Sequence, residues 1–337
     1  MKRIASALAV LALIAVVGLL AVWHVVRTPT AAFTPPRVVS IRPGDSMTIA
    51  ARRLATAGVV RSATLFAVYA EISGRANRLQ PGDYAFKGGE AMPRVLEHLN
   101  NGDYMVVTVV IPEGMTVRQI GERLEQAGLV CDYDFDDGAR RGALPQALGL
   151  GPLGAEGYLF PATYRFSPLA RMNDILAAML GRFFAILTPA VEERLFELNL
   201  SAREMVTMAS MVEKEAKAPG ERPLIASVFY NRLRIGMPLQ SDPTAQYNTQ
   251  GVTERAATAV RIPSAFNTYA IAGLPPGPIA NPGLSSIRAA LYPAHTDYLY
   301  FVARNDGTHI FSRSFAEHQR AIAEIKRMTA HPHVPNG

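Results

Sequence analysis

Cysteine is nearly missing from this chain. Among 337 residues Cys131 stands alone, which excludes an internal disulfide and any metal site built from several thiolates. Charge is sparse as well: Asp, Glu, Lys and Arg make up 18% of the residues, and the formal net charge of +6 is spread out. No run of five or six basic residues occurs and no aromatic–basic alternation, so no nucleic-acid groove is expected, only weak attraction to anionic surfaces. Several familiar catalytic strings are absent too, among them H-E-x-x-H, G-x-S-x-G and S-x-x-K. "GLGPLG" (149–154) has dinucleotide-loop spacing, but no β-branched strand precedes it, Pro152 interrupts it and "AEGYLFP" follows where a helix should. It reads as a plain loop. His331 and His333 in the tail are poor ligand candidates, and no metal or cofactor is expected.

One long apolar run is present. Residues 4–26, "IASALAVLALIAVVGLLAVWHVV", carry no Asp, Glu, Lys or Arg. At about 1.5 Å per residue they match a bilayer core of roughly 30 Å. A secretory signal has a shorter apolar region, although "TAA" (30–32) leaves cleavage as the alternative. Lys2 and Arg3 before the run favour a cytoplasmic N-terminus, Trp23 suits the far interface, and the remainder is expected outside the cytoplasm.

After a Pro/Thr linker (28–37) the pattern alternates between α and β. "VVSI", "GDYAF" and "YMVVTVVI" read as strands, and "PGDSMTIAARRLATAG", "ATLFAVYAEIS" and "MPRVLEHLNNG" as helices. "RLATAGVV" (53–60) and "RLEQAGLV" (123–130) repeat at an offset of 70 residues, each after a strand and a glycine turn. Two copies make a recurring β-turn-helix unit, not a solenoid. From residue 131 Gly, Ala and Pro increase. Helices are expected at 174–187, 190–198, 201 to the stop at Pro219, 222–236 and 315–328, with a hairpin over 298–312 turning at Asp306-Gly307. Ser201 with Glu204 and Ser314 with Glu317 have capping-box spacing. The fold class expected is α+β.

The stretch "MASMVEKEAK" (208–217) ends an oily helix on two carboxylates. On a wheel Met205, Met208, Ala209, Val212 and Ala216 form the core stripe, with Glu213 and Glu215 on opposite flanks, about 160° apart. They cannot form a close pair. Glu213 has Lys217 four residues on, an ordinary surface ion pair worth a few tenths of a kcal/mol. Glu215 has Met211 and Met208 behind it and no cation on its helix. A desolvated carboxyl there would have a raised pKa, as a general acid needs. From the residues alone, a catalytic Glu215 and a solvated helix-end Glu215 both stay open. Asp242 could serve as a second carboxylate or as an Asx turn before Pro243.

"ASMVEKEA", "ERPLIASVFYNRLRIGMPLQSDPTAQY", "FNTYAIAGLPPGPIANPG", "YLYFVA" and "HIFS" resemble, in order, segments of the endolytic murein transglycosylase (YceG-like) family, as do "EGYLFPATY" and "IPEGMTVRQIGERL". The resemblance covers about residues 40–320. Ala162 and Ala216 depart from the family's usual Asp and Thr, and leave both glutamates intact. It implies cleavage of the MurNAc-β-1,4-GlcNAc bond of nascent peptidoglycan strands to a 1,6-anhydro end, with Glu215 as the single acid/base. Weaker substrate-binding candidates are Tyr158, Asn231, Gln240, Asp242, Thr244, Asn267 and Tyr269.

The residue pattern gives a cytoplasmic tip and transmembrane anchor (1–27), a linker (28–37) and a disordered tail (330–337), and the resemblance implies a LysM-like α/β domain (38–109) and a mixed α+β transglycosylase domain (110–329) between them. With the apolar run it gives a single-pass inner-membrane protein with periplasmic catalysis, and it implies peptidoglycan synthases and divisome or elongation proteins as partners. Two alternatives remain: a water-using muramidase with Asp242 or Glu213 as base, and a non-catalytic glycan-binding scaffold.

Overall fold

The structure is a computed structural model that describes residues 2–247, 256–304 and 306–330. The tail histidines and Asn305 of the hairpin turn lie outside the described residues. The chain forms two compact units, one of residues 1–107 with 165–169, the other of 108–164 with 170–337.

The first unit begins with helix α1 (Lys2–Arg27). Side chains are described along it from Val10, except residue 12, and from Val10 to Leu20 the large apolar ones are mostly more than half exposed. Among the described residues no single helix is long and apolar enough to cross a membrane, and the apolar stretch there is Leu13–Arg27. Strand β1 (Arg37–Ile41), helices α2 (Met47–Thr56) and α3 (Ala63–Ile72), strand β2 (Gly82–Phe86) and helix α4 (Met92–Asn101) follow. β1 and β2 pair antiparallel with Val39 opposite Tyr84. Ser46 and Ser62 cap α2 and α3 by accepting from Ile49 and Leu65 N–H. Leu54, Phe66, Val95, Leu96 and Leu99 fill the core, and the Tyr84 hydroxyl ends on the carbonyls of Gln80 and Leu99.

The chain then repeats its opening motif. Strand β3 (Val107–Ile111) leads through a glycine turn into α5 (Val117–Gln126), whose N-terminus is closed by a Thr116/Gln119 capping box. Next come α6 (Asp132–Arg141), α7 (Ala143–Ala147), β4 (Ala162–Phe166) beside β3, α8 (Met172–Phe184) and α9 (Pro189–Glu197). The sequence pattern does not signal α6, α7 or β4. In α6 only Phe135, Gly138 and Ala139 are buried; acids in the first turn, arginines in the last, and the Asp136–Arg140 and Asp137–Arg141 pairs support it.

Helix α10 (Ala202–Glu215) carries the Ser201/Glu204 capping box and a core stripe with Met205, Met208, Ala209 and Val212 fully buried. It ends earlier than Pro219 suggests. Ala216 is already extended at φ −73, ψ 118, so Glu215 is the last helical residue. Ala218, constrained by the proline after it, is extended too. Then follow α11 (Arg222–Arg234), α12 (Asp242–Tyr247), α13 (Ala256–Ala259), α14 (Leu284–Leu291), the hairpin β5 (Tyr300–Ala303) and β6 (His309–Ser312), and α15 (Phe315–Ala330). α10 packs against α14, α11, α12 and α9. At α15 the Ser314 hydroxyl accepts from Glu317 N–H as expected, but the Glu317 carboxylate reaches Arg313 N–H instead of the cap's own.

Candidate active site

The last turn of α10 sends its two carboxylates in opposite directions, as the wheel requires. Glu213 does not pair with Lys217. Its carboxylate accepts from Arg222 Nη2 at 3.2 Å and from Gly283 N–H at 3.0 Å, with Arg222 also donating to Ser286 Oγ. An i,i+4 lysine is a surface partner, whereas this side chain is only 7% exposed and the groups it meets come from α11 and the turn before α14. Glu213 therefore joins three segments.

Glu215 faces the other way. Its Oε1 accepts a 2.6 Å hydrogen bond from Ser241 Oγ. Ser241 is fixed from several sides. Its N–H donates to Thr268 Oγ1, its carbonyl accepts from Thr244 Oγ1 at 2.6 Å, and the two threonine hydroxyls are 2.8 Å apart. Gln240, just before it, sits in the left-handed region at φ 51 and donates its N–H to Thr268 O. A non-glycine residue there costs on the order of 1 kcal/mol, and such conformations gather where a side chain must be aimed.

Electrostatics of this corner favour a protonated Glu215. Burial pushes its pKa up to about 7. The Ser241 bond pulls it down, the charge of Asp242 pushes it up again, and Arg232 pulls it down. Arg232 is itself buried. Its guanidinium donates to the carbonyls of Leu299, Leu239 and Pro238 and to Gln240 Oε1, and lies 5.3 Å from the Tyr300 ring centroid. Asp242 accepts from the Tyr269 hydroxyl at 2.7 Å, and burial followed by that bond raises the Tyr269 pKa.

Of the sequence candidates, Gln240, Asp242, Thr244 and Tyr269 thus gather with Glu215. Asn267 supports them from behind: buried, it donates to Val260 and Ile262 carbonyls and accepts from Tyr269 N–H. Asn231 lies on α11 and bonds the carbonyls of Thr296 and Tyr298. Tyr158 packs edge-on against Phe183 in the core, 5.0 Å between centroids. Ser241, Thr268 and Arg232 are absent from the sequence candidates. Their roles depend on chain reversals at 237–241 and 264–270 that carry no spacing signal, although all three stand inside the motifs quoted above.

A second buried carboxyl has no part in those candidates. Glu156 accepts from Val117 N–H, Tyr247 Oη, Asn281 Nδ2 and Arg140 Nη2 at 2.9–3.3 Å. Burial pushes its pKa up, and Arg140 first, then Tyr247 and Val117 N–H, pull it back. Next to it Gly157, at φ 88, passes so close to Pro278 and Val206 that a Cβ would meet them at 2.5–2.7 Å. A charged residue inside the apolar "AEGYLFP" is the signal that could have found this hub. Ligating atoms of Glu125, Cys131 and Asp132 also cluster within 4.8 Å, at a largely exposed position with no further feature of a metal site.

Comparison with known proteins shows the family. The YceG-like family profile matches residues 39–324, which include Glu215 and every residue around it named above. The chain belongs to the YceG-like family. It is similar to an endolytic murein transglycosylase of Bacillus subtilis, 33% identical over 84% of this chain and 83% of that protein. It is also similar to one of Streptococcus pneumoniae, 31% identical over 85% of this chain and 58% of that longer protein. A crystal structure of a yceG-like protein from Listeria monocytogenes superposes with a TM-score of 0.59 at 30% identity, covering 86% of this chain and 99% of that one. The mixed α+β character expected from sequence is that of this YceG-like fold.

Proposed function

We propose that the protein is a lytic transglycosylase that cuts the MurNAc-β-1,4-GlcNAc bond within peptidoglycan strands, with Glu215 as its only acid/base. The observation that carries this reading is a half-buried carboxyl with a pKa near 7, held by the Ser241 hydroxyl and, among the described residues, carrying no direct ion pair. The relatives named as endolytic murein transglycosylases support the substrate class.

In the first step protonated Glu215 gives its proton to the glycosidic oxygen as the C1–O bond breaks through an oxocarbenium-like state, and GlcNAc leaves with a free hydroxyl. In the second, the Glu215 carboxylate takes the proton of the muramic C6 hydroxyl while that oxygen attacks C1. The 1,6-anhydro ring closes, and no water is consumed. One residue serves both steps because they need acid and base in turn. Ser241 suits this cycle, since its bond stabilises the anion between steps. Asp242, Gln240 and Tyr269 offer polar groups and a ring face for sugars, and the substrate's own N-acetyl group is a candidate for stabilising the cation.

The finer layout is part of the same proposal. Residues 4–26 serve as a single-pass inner-membrane anchor, 38–109 as a LysM-like glycan-binding domain and 110–329 as a periplasmic transglycosylase domain working beside peptidoglycan synthases and division or elongation proteins. The exposed apolar side chains of α1 support the anchor. A water-using muramidase is favoured only by Asp242, a second carboxylate near Glu215. Mass spectrometry of digested sacculi separates the readings: anhydro-muramic ends are expected, and reducing ends without them would establish the muramidase.

A further inference from the structure

Helix α11 has two working faces. Ile225, Val228, Phe229 and Arg232 are buried, and Arg232 is the cation beside Glu215. Ser227, Tyr230, Asn231 and Arg234, at i, i+3, i+4 and i+7, instead line a pocket of about 380 Å³ closed on its other side by the loop 293–297. Its volume falls in the usual range for small-ligand sites, roughly 300–1,000 Å³.

The pocket floor is rigid. Ser227 Oγ lies 2.7 Å from Thr296 Oγ1, Asn231 Nδ2 donates to the carbonyls of Thr296 and Tyr298, and Arg234 Nη2 donates to Asn231 Oδ1 at 3.1 Å. The rim differs. Arg234, His295 and Asp297 are exposed, and none of them has an ion-pair partner among the described residues. A cation, an imidazole and a carboxylate around a fixed polar floor fit a ligand that carries both a carboxylate and an ammonium group. Glycan rings bear neither group. The peptide attached to the lactyl group of muramic acid bears both.

We infer that the pocket between α11 and the loop 293–297 takes the stem peptide of the murein strand held at Glu215, with Arg234 and His295 on a peptide carboxylate and Asp297 on its amine. This rests on the transglycosylase reading, because the helix that carries Arg232, the buried cation felt by Glu215, also carries Asn231 and Arg234 at the pocket. A strand without peptides would lose the second anchor and keep the first.

The test compares peptide-bearing strands with strands stripped by an amidase, using the full chain and its Arg234→Ala/Asp297→Ala variant. Both substitutions are at exposed positions. Wild type should release anhydro-muropeptides from peptide-bearing strands about tenfold faster at low substrate, the effect of two charge-assisted contacts of modest strength. The double variant should show no such preference. Equal rates for wild type on both substrates, or a preference retained by the variant, would overturn the assignment. In parallel, an alanyl-glutamyl-lysine tripeptide is titrated into each protein by calorimetry, with about tenfold weaker binding expected for the variant and equal binding counting against the pocket. If neither strand type yields anhydro ends, the transglycosylase reading fails while the titration still decides the pocket.

Discussion

The two units bury different chemistry. In the first, buried side chains are apolar, from Val26 and Val39 to Leu96 and Leu99, and the one buried hydroxyl of note, on Tyr84, ends on backbone carbonyls. In the second, buried residues include Glu156, Asn231, Arg232, Ser241, Thr244, Asn267, Thr268 and Asn281; every buried polar or charged residue among those described lies at Thr116 or beyond. An apolar core needs only shape, whereas a buried polar group must find a partner or lose about 1–3 kcal/mol. On the proposed function, those groups serve a carboxyl whose raised pKa needs partial desolvation and fixed donors.

This contrast can be broken at either end. The largest stability effect is expected at the Glu156 hub. Glu156→Ala strands Arg140, Tyr247, Asn281 and Val117 N–H together, and urea unfolding should show a loss of about 3–5 kcal/mol. Leu96→Ala in the first unit should cost about 2–5 kcal/mol through the cavity it leaves, while the turnover of the protein that remains folded stays unchanged. If Leu96→Ala changed turnover at a temperature where it is fully folded, the separation of roles would be wrong.

Ser241→Ala tests the polar unit by pH. The hydroxyl donates to the charged form of Glu215 and so lowers its pKa; without it the pKa rises further. In the proposed cycle the first step needs the protonated acid, so the alkaline limb of the pH–rate profile should move to higher pH, with turnover falling about tenfold because the intermediate carboxylate loses its donor. An unmoved limb would mean that the bond does not tune Glu215. The smallest effect is expected for Lys217→Ala, since Glu213 turns to Arg222 and Gly283: within about 0.5 kcal/mol of wild type by thermal unfolding.

Much of this was legible in the sequence, for local reasons. The β-turn-helix repeat, the Ser201/Glu204 box and the opposite flanks of Glu213 and Glu215 follow from periodicity and hydrogen-bond reach within a few residues. Ser241, Thr268 and Arg232 were not legible as partners, because what joins them to Glu215 is a turn at Gln240 and packing across sequence separations of 17 to 53 residues. The Glu213–Lys217 pairing failed for the same reason: i,i+4 spacing reports neighbours on a lone helix, and α10 is not alone. Glu156 sits in the apolar string "AEGYLFP", and no local rule says that four donors converge there.

The central claim is tested most directly by measuring anhydro-muropeptide release by wild type, Glu213→Gln and Glu215→Gln in parallel, each shown to be folded by circular dichroism. Glu215→Gln should lose about 10²–10⁴-fold in rate, as expected for removing a general acid/base, while Glu213→Gln keeps activity in proportion to its folded fraction. A folded Glu215→Gln protein that releases anhydro-muropeptides at the wild-type rate would contradict it.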